Sequence, residues 1–331
     1  MVINGLVQPS SVRTISAFTV LIYYSSANDL VGQATTTGTI TTTPGSLTSP
    51  VLTTSSSVCA ATSVTYTFTV VLGDALNAGS SIQVTAPNTV TMVAGGACQL
   101  QSASAPCAAS GQVLTVTVPT AYSANTILVF SYNSFSNPGS SKPTLSFNIS
   151  TFNSVSQSVD ILPASLPIIL TMATASALQT VSLTRTSVVN SQTAIYTVIF
   201  TQPQILTETT AVAAIVFPSD FTITNSIACN TGTTVLLCAL TANNSNILNI
   251  QFTPSPTVNY VYNISMSNVA NPYSFKPTPS LTITTLSADT LYKYSTISSG
   301  LTITNTITSP FDGLSYTFSV QSLNSPTNLA L

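Results

Sequence analysis

Hydrophobic and polar positions alternate in short runs along most of the chain. Val64, Tyr66, Phe68 and Val70 are separated by Thr65, Thr67 and Thr69, and a period of two marks a strand with one buried face. Asp74 to Gly79 follows as a turn, and then a strand from Ile82 to Ala86 that stops at Pro87. Further strands are predicted at Val113 to Val118, Ile127 to Tyr132 and Leu145 to Ile149, with Pro138, Lys142 and Pro143 before the last. No stretch carries a convincing helical period.

The same order is then written again. Tyr196-Thr197-Val198 answers Tyr66-Thr67-Phe68, Phe217-Pro218 answers Ala86-Pro87, and Ile247 to Phe252 answers Val113 to Val118. Lys276-Pro277-Thr278 answers Lys142-Pro143-Thr144. Cys98 and Cys107 are nine positions apart, as are Cys229 and Cys238, and the two pairs lie 131 positions apart. A repeat at this period indicates a string of similar modules. Short strands between Gly, Pro, Asn and Ser predict an all-β chain of tandem immunoglobulin-like antiparallel β-sandwich modules. The Cys-Trp-Cys hallmark of true immunoglobulin domains is missing, so the expectation concerns architecture.

The boundaries follow from the phase. Residues 51–160 and 178–300 each hold one module, and 161–177 lies between them. Residues 1–50 hold the last strands of a partial module (Pro9, Arg13, then Ile15 to Tyr24) and a Thr-rich linker. Residues 301–331 hold first strands, with Tyr316-Thr317-Phe318 in the place of Tyr66-Thr67-Phe68. The stretch from Ile161 to Ser176 is too apolar for a free linker and is expected to pack against a domain edge or a neighbour. The split phase makes the chain a window of a longer one, or a subunit that an adjoining copy completes.

Composition changes the picture in one respect. Charged residues are 4% of the chain, against roughly 25% in ordinary soluble proteins. Ser and Thr, about a third of all residues, supply the polar surface. A net charge of -2 offers no footprint for nucleic acid or anionic lipid. No run of about 20 apolar residues exists to span a membrane. Twelve Tyr and 13 Phe in strand patterns exclude low-complexity disorder.

Together, the Tyr-Thr-Phe strand, the strand ending in Phe-Pro or Ala-Pro, Cys-x8-Cys, Asn-Pro-x3-Lys-Pro and the Thr-rich strand resemble the tandem immunoglobulin-like repeats of large extracellular surface or filament proteins of ciliates and other protists. The resemblance implies a secreted or surface-exposed, repetitive, glycosylated protein and no reaction.

The cysteine pairs carry the strongest local signal. Disulfides Cys98–Cys107 and Cys229–Cys238 suit an oxidising compartment. Each closes a loop of about ten residues and contributes roughly 2–3 kcal/mol in the chain-entropy model. Buried free thiols are the plainer alternative. Cys59 is left over, as a buried small hydrophobe or a bond to another chain. Sequons place candidate N-linked glycans at Asn148, Asn243 and Asn263. Pro-x3-Lys or Arg recurs at Pro9–Arg13, Pro138–Lys142 and Pro272–Lys276, either as a repeated contact with a neighbouring module or as a loop with a solvated cation. Catalysis has almost no candidates. There is no His, and the seven acids are scattered, so neither a metal site, a cofactor site nor an acid pair is expected.

The expected function is an extracellular or cell-surface structural protein, not an enzyme. Its modules stack head-to-tail, with other copies or with adjoining repeats, into a glycosylated filament or coat. The alternative is an adhesion or recognition ectodomain that binds a glycan or protein through its sandwich loops.

Overall fold

A computed structural model describes residues 9–15, 19–23, 30–35, 40–206, 208–241, 244–255 and 257–306. The described residues form two β-sandwiches, each around its own hydrophobic core. None of them lies in a helix long and apolar enough to cross a membrane.

The strand Val64–Val71 shows why the chain folds this way. Its even-numbered residues are buried and its odd-numbered ones half-exposed, without exception. One sheet of the first sandwich runs Ala103–Ala105, Cys98–Leu100, Ile127–Ser136, Val64–Val71, Thr48–Thr54. The other runs Cys107–Ser110, Val113–Thr117, Ser81–Thr85, Asn148–Phe152, Ser158–Ile161, Gly45–Ser46. The last pair, Ser158–Ile161 with Gly45–Ser46, is parallel. The entering chain therefore begins in one sheet and crosses to the other as Thr48–Thr54, which carries Ser49 at φ 49°. Aromatic rings fill the space between. Tyr66 stacks on Phe135 at 4.2 Å, Phe68 on Phe130 at 5.3 Å, and Phe147 meets Tyr66 and Phe68 edge-on.

The second sandwich repeats these pairings. Ser176–Ala177 pairs in parallel with Lys293–Ile297, and Gln179–Arg185, with Thr180 at φ 45°, pairs with Thr193–Gln202 at the other end of one continuous ten-stranded sheet. Ala211–Val216 lies between Asn244–Phe252 and Thr282–Ser287, as Ser81–Thr85 lies between Val113–Thr117 and Asn148–Phe152. One difference has a local cause. Pro106 has no N–H to give a ladder, and the first sandwich breaks there into Ala103–Ala105 and Cys107–Ser110, one in each sheet. The corresponding Leu237 lets Thr234–Thr241 run unbroken, pairing with Thr222–Thr231 on one side and Asn244–Phe252 on the other. In both sandwiches the cysteines are bonded: Cys98 to Cys107 ties one sheet to the other, and Cys229 to Cys238 joins neighbouring strands of one continuous ladder.

The stretch 161–177, placed between modules on sequence, buries Ile168, Leu170 and Met172 in the first core. Leu170 N–H donates to Thr144 Oγ1 and Thr144 N–H to Leu170 O. Leu301 and Ile303 are buried in the second core through the same pair of bonds, between Thr278 and Ile303. The Tyr316-Thr317-Phe318 motif and the rest of 307–331 lie outside the described residues.

Each sandwich also holds a buried asparagine with every polar atom engaged. Asn137, 5% exposed, accepts from Tyr66 OH at 2.8 Å and donates through Nδ2 to Ser56 O and Val58 O at 2.9 and 2.8 Å. Asn271, 1% exposed, accepts from Tyr196 OH and donates to Ser187 O and Val189 O at 3.1 and 2.6 Å. Burial pushes both tyrosine hydroxyls up from their usual range, so they remain donors. Tyr66→Phe leaves Asn137 Oδ1 buried without its donor and is expected to cost about 1–3 kcal/mol. Urea unfolding should show a smaller loss for Tyr196→Phe, because Asn271 Oδ1 keeps a second donor in Arg185 Nη1, and no change for Tyr66→Phe would refute the pin.

Candidate functional site

The Asn137 pin holds the loop where the two sandwiches meet. Asn137 precedes Pro138, and the loop Pro138–Lys142 projects onto the second sandwich. Ser141 N–H donates to Lys293 O at 2.9 Å, and Lys293 N–H donates back to Ser141 Oγ at 2.8 Å. Gln204, 7% exposed, donates through Nε2 to Gly139 O and to Tyr294 O, both at 3.0 Å. The Lys142 ammonium stands 5.7 Å from the centre of the Tyr292 ring. Lys142 also helps to hold the exposed Asp289 carboxyl below its usual range, behind the larger effects of hydrogen bonds from Ser287 Oγ and Leu291 N–H. Of the two sequence readings of Pro-x3-Lys, the neighbour contact describes Lys142.

The connecting chain forms the other side of the joint. Thr174 makes a parallel bridge with Val58, accepts from Cys59 N–H at 2.8 Å and donates to Ser57 O at 3.1 Å. The Cys59 Sγ lies 3.9 Å from Lys293 O. This thiol is 1% exposed, and burial pushes its pKa to about 11, which leaves it protonated and unreactive at neutral pH.

The same contact occurs once more. Val12 stands three residues after Pro9, as Ser141 stands three after Pro138, and its N–H donates to Ser158 O at 2.7 Å. Ser158 and Lys293 are the first residues of equivalent strands. Thr42 Oγ1 accepts from Arg13 N–H and donates to Ser11 O, which fixes this first loop. Two Pro-x3-cation loops therefore dock through one main-chain hydrogen bond.

The residues beneath the two docking points differ as a set. Under the second, Ser176 Oγ and Ser295 Oγ are 2.6 Å apart, and both donate to Gln204 Oε1. Under the first, the corresponding positions are Gly45, Asp160 and Asp74. Asp160 is fully buried, and its Oδ2 accepts from Gly73 N–H and Asp74 N–H at 3.2 and 3.1 Å. Its Oδ1 has no hydrogen-bond partner. A Cβ on Gly45 would collide with Oδ1 and come within 2.8 Å of Asp74 Oδ2, so the carboxyl occupies the space that a side chain takes in the second sandwich. Burial, and then the Asp74 charge, raise the Asp160 pKa above its ordinary value.

The other sequence candidates lie away from the joint. Asn148 and Asn263 are exposed on their strands, and Asn243 lies outside the described residues. Sequence reasoning missed the roles of Asn137 and Asn271, although Asn-Pro recurs before each loop, and it missed the polar set around Asp160 and Ser295. Beside the second disulfide is a cavity of about 320 Å³, lined by Thr231, Thr234, Leu236, Phe252, Tyr260 and Tyr262. The matching cavity of the first sandwich is about 150 Å³. There Gln101 covers the strand edge, donating from N–H to Val129 O and from Nε2 to Ile127 O, where the second sandwich has Gly232.

No protein-family model matches the chain, and no curated protein matches it. Among solved structures it is similar to the C-terminal domain of the Streptococcus pyogenes antigen I/II-family protein AspA, at 8% identity over 88% of this chain and 98% of that one, with a TM-score of 0.31. It is also similar to the collagen adhesin of S. aureus, at 10% identity over 78% and 92% with a TM-score of 0.25. A partial N-terminal region of an enterococcal surface protein overlaps at 7% identity over 81% and 96%, with a TM-score of 0.26.

The Asp160 site makes stability depend on pH with a definite sign. The folded state holds this proton more tightly than the unfolded chain does, so the stabilisation is complete below the ordinary value of 3.8 and is lost as pH rises through the raised folded value. The first sandwich should melt at higher temperature at about pH 4 than at about pH 7 for this reason. The pair Gly45→Ser with Asp160→Ser should remove that component, and an unchanged pH profile in calorimetry would contradict the assignment.

Proposed function

We propose that this chain is part of an extracellular or cell-surface structural protein in which β-sandwiches stack head-to-tail into a stiff string. The observation that carries the reading is the recurrence of one docking contact, Val12 to Ser158 and Ser141 to Lys293. A joint closed on two sides, by the loop and by the connecting chain, restricts rotation between neighbours. Such a string serves as a stalk, coat or filament. The two disulfides support an oxidising compartment. The exposed Asn148 and Asn263 are offered as N-glycan sites, which would add polar surface to a chain with few charges. The sequence resemblance to protist repeat proteins belongs to the same proposal.

The adhesion reading rests on a different observation. The cavity beside the second disulfide combines threonine hydroxyls with Tyr260, 45% exposed, and has no charged lining; Asn263 also lines it, so this reading requires Asn263 to carry no glycan. A neutral glycan suits such a surface, since tyrosine rings face sugar C–H groups and hydroxyls bond to hydroxyls. Binding to a glycan array that is abolished by Tyr260→Ala, with stacking intact, would move the function to this cavity.

Solution scattering tests the main reading. The described chain should give one narrow distribution of distances between the sandwich centres. Ser141→Pro removes both the donor N–H and the acceptor hydroxyl of the reciprocal pair, and should broaden that distribution while each sandwich keeps its melting temperature. A broad distribution in the unaltered chain would sink the proposal. Peptide-N-glycosidase treatment of natural material should lower the mass of peptides carrying Asn148 and Asn263, and unshifted peptides would remove the glycans from it.

A further inference from the structure

We infer that the loop Pro272–Lys276, at the free end of the second sandwich, is a docking face for a further sandwich of the same type. The inference rests on the stacked-string reading and names the surface and the occupant of its next joint.

The loop already has the shape that the two formed joints require. Asn271 pins its start as Asn137 pins Pro138–Lys142, through a tyrosine hydroxyl and two carbonyls of the neighbouring turn. A second buried asparagine adds to this. Asn305, 3% exposed, donates through Nδ2 to Pro272 O and Ser274 O at 2.6 and 3.0 Å. Arg185 holds that side chain, donating from Nη1 to Asn305 Oδ1 and Asn271 Oδ1 and from Nη2 to Thr304 O. The loop is fixed by residues of its own sandwich, which lowers the ordering cost of docking.

The exit of the chain is set in the same way. Thr306 N–H donates to Val188 O at 3.2 Å, as Thr174 N–H donates to Ser57 O where the chain leaves for the second sandwich. Both sides of a third joint are therefore in place among the described residues. The aromatic side chains of the loop point the same way. Tyr273 is 70% exposed and Phe275 45% exposed, at the positions held by Gly139 and Ser141 in the formed joint. A Cβ on Gly139 would lie 3.8 Å from Gln204 Cγ, which is ordinary contact, so a seat of this type admits a side chain there.

The occupant is a sandwich that offers the main-chain carbonyl of the first residue of its Lys293-type strand to Phe275 N–H. On sequence, 301–331 supplies the first strands of such a module, and 307–331 lies outside the described residues.

The experiment uses a chain in which residues 175–306 are repeated directly after Thr306, which reproduces the junction at Thr174. A photo-crosslinking phenylalanine replaces Tyr273, and in a parallel sample it replaces Ser140. The Tyr273 probe should attach to the added copy at its residues equivalent to Tyr292–Tyr294, and Phe275→Pro should abolish that product. The Ser140 probe should attach to Tyr292–Tyr294 of the original second sandwich. If Ser140 crosslinks there and Tyr273 does not, the docking face is wrong and the string reading stands. If neither crosslinks, the string reading itself fails.

Discussion

The structure depends on a buried side-chain amide that satisfies the main chain around it. In each sandwich an asparagine with almost no exposure gathers a tyrosine hydroxyl and two carbonyls of an adjacent turn. Those carbonyls would otherwise be buried without donors, at a cost comparable to a lost hydrogen bond. The tyrosine belongs to a strand paired on both sides, so the pin ties the loop to the interior of the sheet. The proline that follows fixes the next backbone angle, and the loop emerges in one direction. Without the pin, the loop carries no defined geometry to its neighbour.

Much of this architecture was legible in the chain. Alternation over 64–70 describes strand and burial residue by residue, because a half-buried strand has a strict period of two. The Cys-x8-Cys spacing marked the two bonds without revealing that the first spans two sheets and the second joins paired strands, since spacing carries no information on which layer each cysteine occupies. The joint was legible only in outline. Pro-x3-cation drew attention to its charge, whereas the docking is done mainly by the N–H of the residue before the cation. A main-chain donor leaves no mark in side-chain identity. The Asp160 site was hidden for another reason. Its meaning depends on Gly45, more than a hundred positions away, and that pairing exists only after the parallel strands align.

The Gly45–Asp160 and Ser176–Ser295 pairs show how one backbone accommodates two chemistries. Each is self-consistent, and a mixture of the two is not. Serine at 45 beside Asp160 collides with a buried oxygen, while glycine at 176 would leave Ser295 without its hydroxyl neighbour. The two positions therefore behave as one unit. The same holds at the disulfide edge, where Pro106 separates the sheets and Leu237 lets a single ladder run on.

A joint closed chiefly by main-chain hydrogen bonds places little demand on the side chains around it. Glycine, serine, valine, lysine and arginine occur at the loop positions of the two docked loops. In the stacked string proposed above, copies of such a module can drift apart in sequence while the pitch from one to the next stays the same. Length and stiffness are then inherited through geometry, and the outward surface of every copy is free to diversify.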